Sequence, residues 1–180
     1  IMAFFPLKHF LTITRHRHEV IKLCFKAGIG FQGLFHDLSK FSLVEFLPGA
    51  KYYSGNQSPN NGERLDKGYS LAWMHHKGRN KHHFEFWYDY DMVTKQIVPM
   101  PMPDKYIKEM FCDRVAASKT YNPKTYTNES PLQYLLKGNH KDKMTSDTYG
   151  KILYLLQMLA EKGEYETLKF MKNSKKLPIA

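Results

Sequence analysis

The chain has 180 residues, of which 42% are apolar and 24% charged, values typical of a folded domain rather than of a disordered or membrane-spanning chain. With 27 Lys and Arg against 17 Asp and Glu, the formal net charge is +10, which favours nucleic acids, nucleotides and phosphorylated small molecules as partners. Two cysteines, Cys24 and Cys112, are too few for a disulfide framework, so we expect a cytoplasmic protein without a membrane partner.

Apolar spacing predicts a single, mostly helical domain over residues 1–180, with its core over about residues 14–162. The predicted helices cover residues 14–27, 33–48, 71–76, 105–119, 130–136, 146–162 and 164–172. Gly, Asn, Ser and Pro predict a long loop between the second and third helices, over residues 49–68, and three prolines make residues 96–103 extended. No segment alternates like a persistent strand, so the predicted fold class is all-α.

The segment with the clearest chemistry is residues 35–40, FHDLSK, in which His36 precedes Asp37. Imidazole and carboxylate groups bind Mn, Fe, Co, Ni and Zn. Consecutive residues on a helix point roughly 100° apart, so both reach one ion only at a helix end or through suitable rotamers. The pair alone therefore fits either a metal site or a carboxylate that orients a structural histidine.

Further metal-ligand residues precede and follow this pair. The preceding helix offers His16 or His18, and the later ligand candidates are two paired histidines and one aspartate: His75 with His76, His82 with His83, and Asp113. Asp113 lies on an otherwise apolar helix, where an unpaired carboxylate is costly, so it is either a ligand or a partner of Arg114. His, His-Asp, His and Asp on successive helices predict a shared metal centre.

In these motifs the chain resembles the HD superfamily of metal-dependent phosphohydrolases, over roughly residues 14–120. Residues 16–20, HRHEV, resemble the first-helix motif with His16 as ligand, and residues 35–40 resemble the defining His-Asp motif. Residues 75–78, HHKG, are similar to the double-His segment of the cyclic-dinucleotide branch, and residues 112–119, CDRVAASK, to the final helix with its single Asp. The segment also resembles a small uncharacterised bacterial family that carries both the His-Asp-Leu-Ser-Lys and the double-His motifs.

The resemblance implies an HD-like helical bundle and a phosphohydrolase with one or two divalent ions, drawn from Mn, Fe, Co, Ni, Zn and Mg, that activate water for attack on a phosphoryl group. The expected catalytic residues are Asp37 and Lys40. The expected metal ligands are His16, His36, Asp37, His76, His83 and Asp113, with His18, His75 and His82 as alternatives. The expected phosphate-binding residues are Lys40, Lys77, Arg79, Arg114 and Lys119.

The expected substrate is an anionic, phosphorylated small molecule, and nucleotides are the favoured class. Nucleic acid and a second copy of the chain stay open as partners. Two other functions also stay open. One is an HD-type di-iron oxygenase, because histidine-rich sites also suit iron. The other is a basic nucleic-acid- or nucleotide-binding domain with a structural metal site.

Overall fold

The computed structural model describes residues 4–180, which form eight α-helices and one short β-hairpin. The helices are α1 Pro6–Lys26, α2 Gly30–Gly33, α3 Leu43–Lys51, α4 Pro59–Lys67, α5 Leu71–Lys77, α6 Asp104–Tyr121, α7 Ser130–Lys137 and α8 Ser146–Asn173. Strands β1 Tyr88–Tyr90 and β2 Ile97–Pro99 pair antiparallel, with Asp89 opposite Val98. The all-α prediction is confirmed. Over residues 4–180, each helix is too short or too polar to cross a bilayer.

The core lies where α1, α6 and α8 meet. Each of these helices buries apolar residues at three- and four-residue spacing, which places them on one face. The fully buried members include Val20 and Cys24 of α1, Ile107, Phe111 and Val115 of α6, and Ile152, Leu155, Leu156 and Leu159 of α8. Burial of one large apolar side chain contributes about 1.5–3 kcal/mol. Helix α3 packs between α1 and α5, so these elements and α6 enclose a common interior region.

Helix α1 begins at Pro6, and the predicted start at Thr14 is wrong. Proline is well tolerated at the first position of a helix, where its missing N–H would have no helical partner. The buried face also continues towards the N-terminus through Ile13 and His9. The polar residues around Thr14 therefore lie inside the helix rather than at its start.

The helix predicted over residues 33–48 is broken into three pieces. Helix α2 ends at Gly33, a 3-10 turn covers Leu38–Phe41, and α3 begins at Leu43. The break lies at Asp37, whose φ of 55° is in the left-handed region, which Asp adopts more readily than most residues. Pro48 lies within α3 and does not end it.

The long loop predicted over residues 49–68 is a shorter loop followed by a helix. Helix α3 continues to Lys51, and α4 occupies Pro59–Lys67. Pro59 takes the first helical position, and the buried carboxylate of Glu63 accepts a hydrogen bond of 2.7 Å from Ser70 Oγ. This hydrogen bond connects α4 to the start of α5. It stabilises a helix in a polar, Gly-rich segment.

The C-terminal half follows the predicted elements closely. Helices α6 and α7 lie within about two residues of their predicted bounds. The predicted separation of residues 146–162 from 164–172 is confirmed, because Gly163 interrupts α8 with φ 82° and ψ 173°. That backbone region is essentially open only to glycine.

Candidate metal centre

The break at Asp37 brings consecutive side chains to one place. Arg17 on α1 fixes this turn, since its Nε donates to the backbone oxygen of His36 at 3.1 Å and its Nη2 to that of Leu34. His36 Nε2 then lies 3.2 Å from Asp37 Oδ2. In a continuous helix the side chains of His36 and Asp37 would point in different directions. The left-handed backbone at Asp37 instead lets them point to the same place.

The first cluster consists of His16, His36, Asp37 and Asp113, from α1, the turn and α6. His16 Nε2 lies 3.0 Å from Asp113 Oδ1 and 3.8 Å from Asp37 Oδ2. His36 Nε2 lies 3.6 Å from Asp113 Oδ1. One ligand atom from each residue lies within 4.8 Å of the others. Ligand atoms about 2 Å from one ion lie roughly 3–4 Å apart, and the four distances given above, from 3.0 to 3.8 Å, have this size.

The second cluster consists of Asp37, His76, His82 and His83. Asp37 Oδ1 lies 3.2 Å from His76 Nε2 and 3.4 Å from His82 Nε2. His76 Nε2 also lies 2.9 Å from His83 Nε2. The two oxygens of the Asp37 carboxylate therefore face different clusters, Oδ2 the first and Oδ1 the second.

Two buried glutamates that the sequence analysis missed orient the histidines. Glu109 Oε1 lies 2.9 Å from His36 Nδ1 and 3.2 Å from His82 Nδ1. Glu45 Oε2 lies 2.8 Å from His76 Nδ1. Because a carboxylate only accepts, each of these Nδ1 atoms carries a proton, and Nε2 is the atom that each ring can offer to a cation in the clusters. Histidines that bind metals are held in this way.

Glu109, His36 and His82 also have the spacing of a third metal site. Hydrogen bonds from both Nδ1 atoms to Glu109 account for that arrangement without an ion. One signal in the sequence could have identified Glu109, since it precedes Asp113 by four residues on the same apolar helix. Glu45 carries no comparable signal, because its role depends on how α3 packs against α5.

Several buried polar atoms in the two clusters have no hydrogen-bond partner. They are His16 Nε2, His36 Nε2, His82 Nε2 and both carboxylate oxygens of Asp37, although Oδ2 of Asp37 also has the Lys40 ammonium 2.6 Å away. Some lie close to one another, as the distances above show, but none meets the geometry of a hydrogen bond. Such atoms cost free energy unless something satisfies them, and the donor set suits a divalent cation. These residues could therefore hold a metal ion.

The carboxylates of the centre are ionised at neutral pH. Burial opposes ionisation of Asp37, but His36, Lys40 and His76 outweigh it and hold the pKa of Asp37 well below its ordinary value. Burial likewise opposes ionisation of Glu109, but its bonds with His36 and His82 lower its pKa to about 2. Both groups are thus in the form that ligates a metal or orients a ligand.

The pKa values of the buried imidazoles are shifted in two directions. Burial lowers the pKa of His16 and holds the pKa of His83 well below its ordinary value, so both are neutral. Burial also opposes protonation of His36, but Asp37, Asp113 and Glu109 together raise its pKa well above the ordinary value. Without a cation, a proton on His36 balances part of the negative charge of the centre.

Lys40 lies at the mouth of the first cluster. Its Nζ is 2.6 Å from Asp37 Oδ2, and its side chain is 28% exposed. Burial opposes protonation of Lys40, but Asp37 and Asp113 raise its pKa, so the ammonium persists. Among the residues predicted to bind phosphate, this one directly contacts an expected ligand.

The other predicted phosphate-binding residues lie around or away from the centre. Lys77 and Arg79 follow His76, and Arg79 is exposed with a 3.4 Å bond to the backbone oxygen of His75. Arg114 has buried Nε and Nη1 atoms that no protein group satisfies. Lys119 pairs with Glu164 on α8. Phosphate binding by these four residues stays a prediction.

The three histidines considered as alternative metal ligands lie at different distances from the two clusters. His18 is exposed on α1, whereas His16 is buried within the first cluster. His75 lies outside both clusters and bonds Glu45 Oε1 at 2.6 Å through its Nδ1. His82 joins His83 in the second cluster and does not replace it.

The chain belongs to the family of unknown function DUF5662, whose model matches residues 6–158. The match covers every residue of both clusters. No curated protein and no solved structure matches the chain. The family description names no activity, and the resemblance to HD phosphohydrolases stays a prediction.

Proposed function

We propose that this member of the DUF5662 family is a divalent-metal-dependent phosphohydrolase. Its substrate is a phosphorylated small molecule, with nucleotides as the first class to test. The observation that carries the proposal is the position of Asp37, whose two carboxylate oxygens face two separate clusters of metal-ligand residues. A carboxylate placed in this way suits a site for two neighbouring cations.

The ligand sets follow from the geometry. His16, His36, Asp37 and Asp113 would hold one cation, and Asp37 with His76, His82 and His83 a second. When bound, such ions lower the pKa of a water molecule and polarise a phosphoryl oxygen.

The chain's own groups hold and orient these ligands. Glu109 and Glu45 keep protons on the Nδ1 atoms of His36, His82 and His76, so the Nε2 lone pairs point inward. Lys40 is a point charge at the mouth, partly exposed and protonated, and is placed to contact a phosphoryl oxygen of the substrate.

A second candidate is an oxygenase with two irons. The observation that favours it is the composition of the second cluster, three imidazoles and one carboxylate, because imidazole suits iron as well as Mn, Co, Ni and Zn. Metal content separates the two functions. Tightly held iron with a visible absorption band favours the oxygenase, whereas activity restored by added Mn, Co, Ni or Mg favours hydrolysis.

The test is a phosphoester screen on the 180-residue chain. The protein is stripped with a chelator, supplied with Mn, Co, Ni, Zn, Mg or ferrous iron in turn, and assayed for phosphate release from nucleotides and aryl phosphates. Asp37→Asn removes the carboxylate that both clusters share, and Asp113→Asn removes one of the first cluster, in each case without changing side-chain size. Asp89→Asn is the matched control, because Asp89 is exposed on β1.

The expected result is hydrolysis with at least one ion, lost in both ligand variants and kept in Asp89→Asn. Inactivity of the wild type with every ion and substrate would overturn the proposal, as would equal activity of the ligand variants. Bound metal together with salt-sensitive nucleic-acid binding and no hydrolysis would support a basic binding domain with a structural metal site.

A further inference from the structure

A second group of buried polar atoms lies outside the two metal clusters. Arg114 Nε and Nη1, Glu85 Oε2 and His140 Nδ1 are buried and make no hydrogen bond with the protein. Arg114 lies on α6, Glu85 in the 3-10 turn Phe84–Phe86, and His140 between α7 and α8. We call these three residues the Arg114 cluster. Because buried polar atoms without partners cost free energy, this place suits a polar ligand.

The fold brings the three side chains of the Arg114 cluster together. The His140 ring centroid lies 5.4 Å from that of Phe84, the residue before Glu85. The same ring folds back over Gly138, where a Cβ atom would overlap His140 Nε2. Helix α7, which leads to His140, packs against α6, which carries Arg114. The cluster is thus assembled from three parts of the chain that are distant in sequence.

Two acidic groups face Arg114, and neither satisfies it. Asp113 belongs to the first metal cluster, where its Oδ1 lies 3.0 Å from His16 Nε2. Glu85 attracts Arg114, but Glu85 Oε2 and two of the guanidinium nitrogens are unpaired. Burial and the neighbouring cations lower the pKa of His140 to about 4, so this imidazole is neutral. The cluster therefore offers two N–H donors on a cation together with a carboxyl oxygen that can accept a hydrogen bond.

We propose that the Arg114 cluster binds inorganic phosphate. Guanidinium N–H groups are strong donors to phosphate oxygens. An ionised carboxylate only accepts, so Glu85 requires a ligand that brings its own proton. At about pH 8 inorganic phosphate keeps one P–OH group, whereas sulfate and phosphomonoesters are fully ionised. The inference does not depend on the proposed hydrolysis, although phosphate would be a product of that reaction.

The test is titration calorimetry of the chelator-stripped 180-residue chain at about pH 8. The ligands are inorganic phosphate, sulfate and glycerol phosphate, and removal of metal ions prevents phosphate from binding to them. Arg114→Gln removes the guanidinium, and Glu85→Gln replaces the carboxylate by an amide that also donates. The matched control is Arg15→Gln, because Arg15 is exposed on α1. Lys40→Gln tests whether phosphate binds at the metal centre instead.

The wild type is expected to bind one phosphate ion. Sulfate and glycerol phosphate should bind at least tenfold more weakly, because each leaves Glu85 Oε2 without a proton donor. Arg114→Gln should weaken phosphate binding at least tenfold, because hydrogen bonds from a charged group are lost. Glu85→Gln should bind sulfate about as well as phosphate. Arg15→Gln and Lys40→Gln should bind phosphate like the wild type.

Four results would overturn the proposal. The first is no phosphate binding by the stripped wild type, which would mean that water satisfies the buried atoms. The second is sulfate binding as tight as phosphate binding, and the third is wild-type phosphate affinity in Arg114→Gln. The fourth is loss of phosphate binding in Lys40→Gln, because the ion would then lie in the metal centre.

Two features keep the test decisive. The comparison of phosphate with sulfate uses the wild type alone, so it holds even if Arg114→Gln does not fold, which circular dichroism verifies. The assay measures binding without metal or hydrolysis, so an inactive enzyme and an empty Arg114 cluster give different results.

Discussion

Glu109 offers a sharp test of the metal centre, because one carboxylate oxygen orients a histidine in each cluster. Glu109→Ala removes the acceptor for both His36 Nδ1 and His82 Nδ1. Loss of an outer-shell partner of a ligand histidine typically weakens metal binding about 10–100-fold, or about 1.4–2.7 kcal/mol. Since Glu109 serves both clusters, we expect a loss of this size for each ion.

A graded series makes the expectation quantitative. Glu109→Gln keeps an oxygen acceptor but not the negative charge, and hydrogen bonds to a charged acceptor are roughly twice as strong as neutral ones. We therefore expect Glu109→Gln to lie between the wild type and Glu109→Ala, near a tenfold loss for each ion. Glu161→Ala is the control, because Glu161 is exposed on α8.

The assay is titration calorimetry of the chelator-stripped protein with Mn or Zn, which gives both affinity and stoichiometry. Circular dichroism verifies the helical content of each variant before titration. Two ions bound by Glu109→Ala with wild-type affinity would refute the argument that Glu109 fixes the tautomers. An equal loss in Glu161→Ala would show that the effect is not specific to the centre.

Three further predictions concern other parts of the chain. His16→Gln should lose one of two bound ions in elemental analysis, whereas His18→Gln should keep both, because only His16 lies in the first cluster. Burial, with Arg114 and Lys143, lowers the pKa of His140 to about 4. The unfolded chain therefore takes up this proton first as the pH falls from 6.5 to 4, and the melting temperature of His140→Gln should fall less than that of the wild type. Gly163→Ala should lower the free energy of unfolding in urea by about 1–3 kcal/mol, because alanine is strained at that φ and ψ, while Glu161→Ala should change it little.

Each of these predictions has a result that contradicts it. Equal metal content in the His16 and His18 variants would place the ligand elsewhere on α1. Parallel melting curves of wild type and His140→Gln across that pH range would mean that His140 titrates normally in the folded protein. Wild-type stability of Gly163→Ala would mean that α8 is not interrupted at this residue.

The spacing of apolar residues in the sequence predicted those helices whose apolar residues and helix-breaking residues agree with the packing in the structure. Helix α6 was predicted because its buried residues recur at helical intervals, and the two predicted pieces of α8 meet at Gly163, where the structure interrupts the helix. The start of α1 at Pro6 and helix α4 were missed, because their stability depends on contacts with residues outside the helix itself. The buried bond from Ser70 to Glu63 is such a contact.

The metal centre likewise has features that the sequence predicted and features that it did not. His16, His36, Asp37, His76 and Asp113 were expected ligands, and the structure brings them together. What the sequence could not give is the turn that makes His36 and Asp37 converge, since a continuous helix was expected there. The sharing of Asp37 between clusters is likewise a property of the tertiary packing and not of any motif.

Helix α6 links the chemistry to the core in a way that has consequences for mutation. Glu109 and Asp113 lie one turn apart and face the metal centre, whereas Phe111 lies about half a turn round the helix and is fully buried. A shift or rotation of α6 that accommodates a different residue at Phe111 moves the ligand and the orienting carboxylate together. Apolar contacts among α1, α6 and α8 therefore limit how much sequence change the metal centre tolerates. None of these apolar side chains binds an ion.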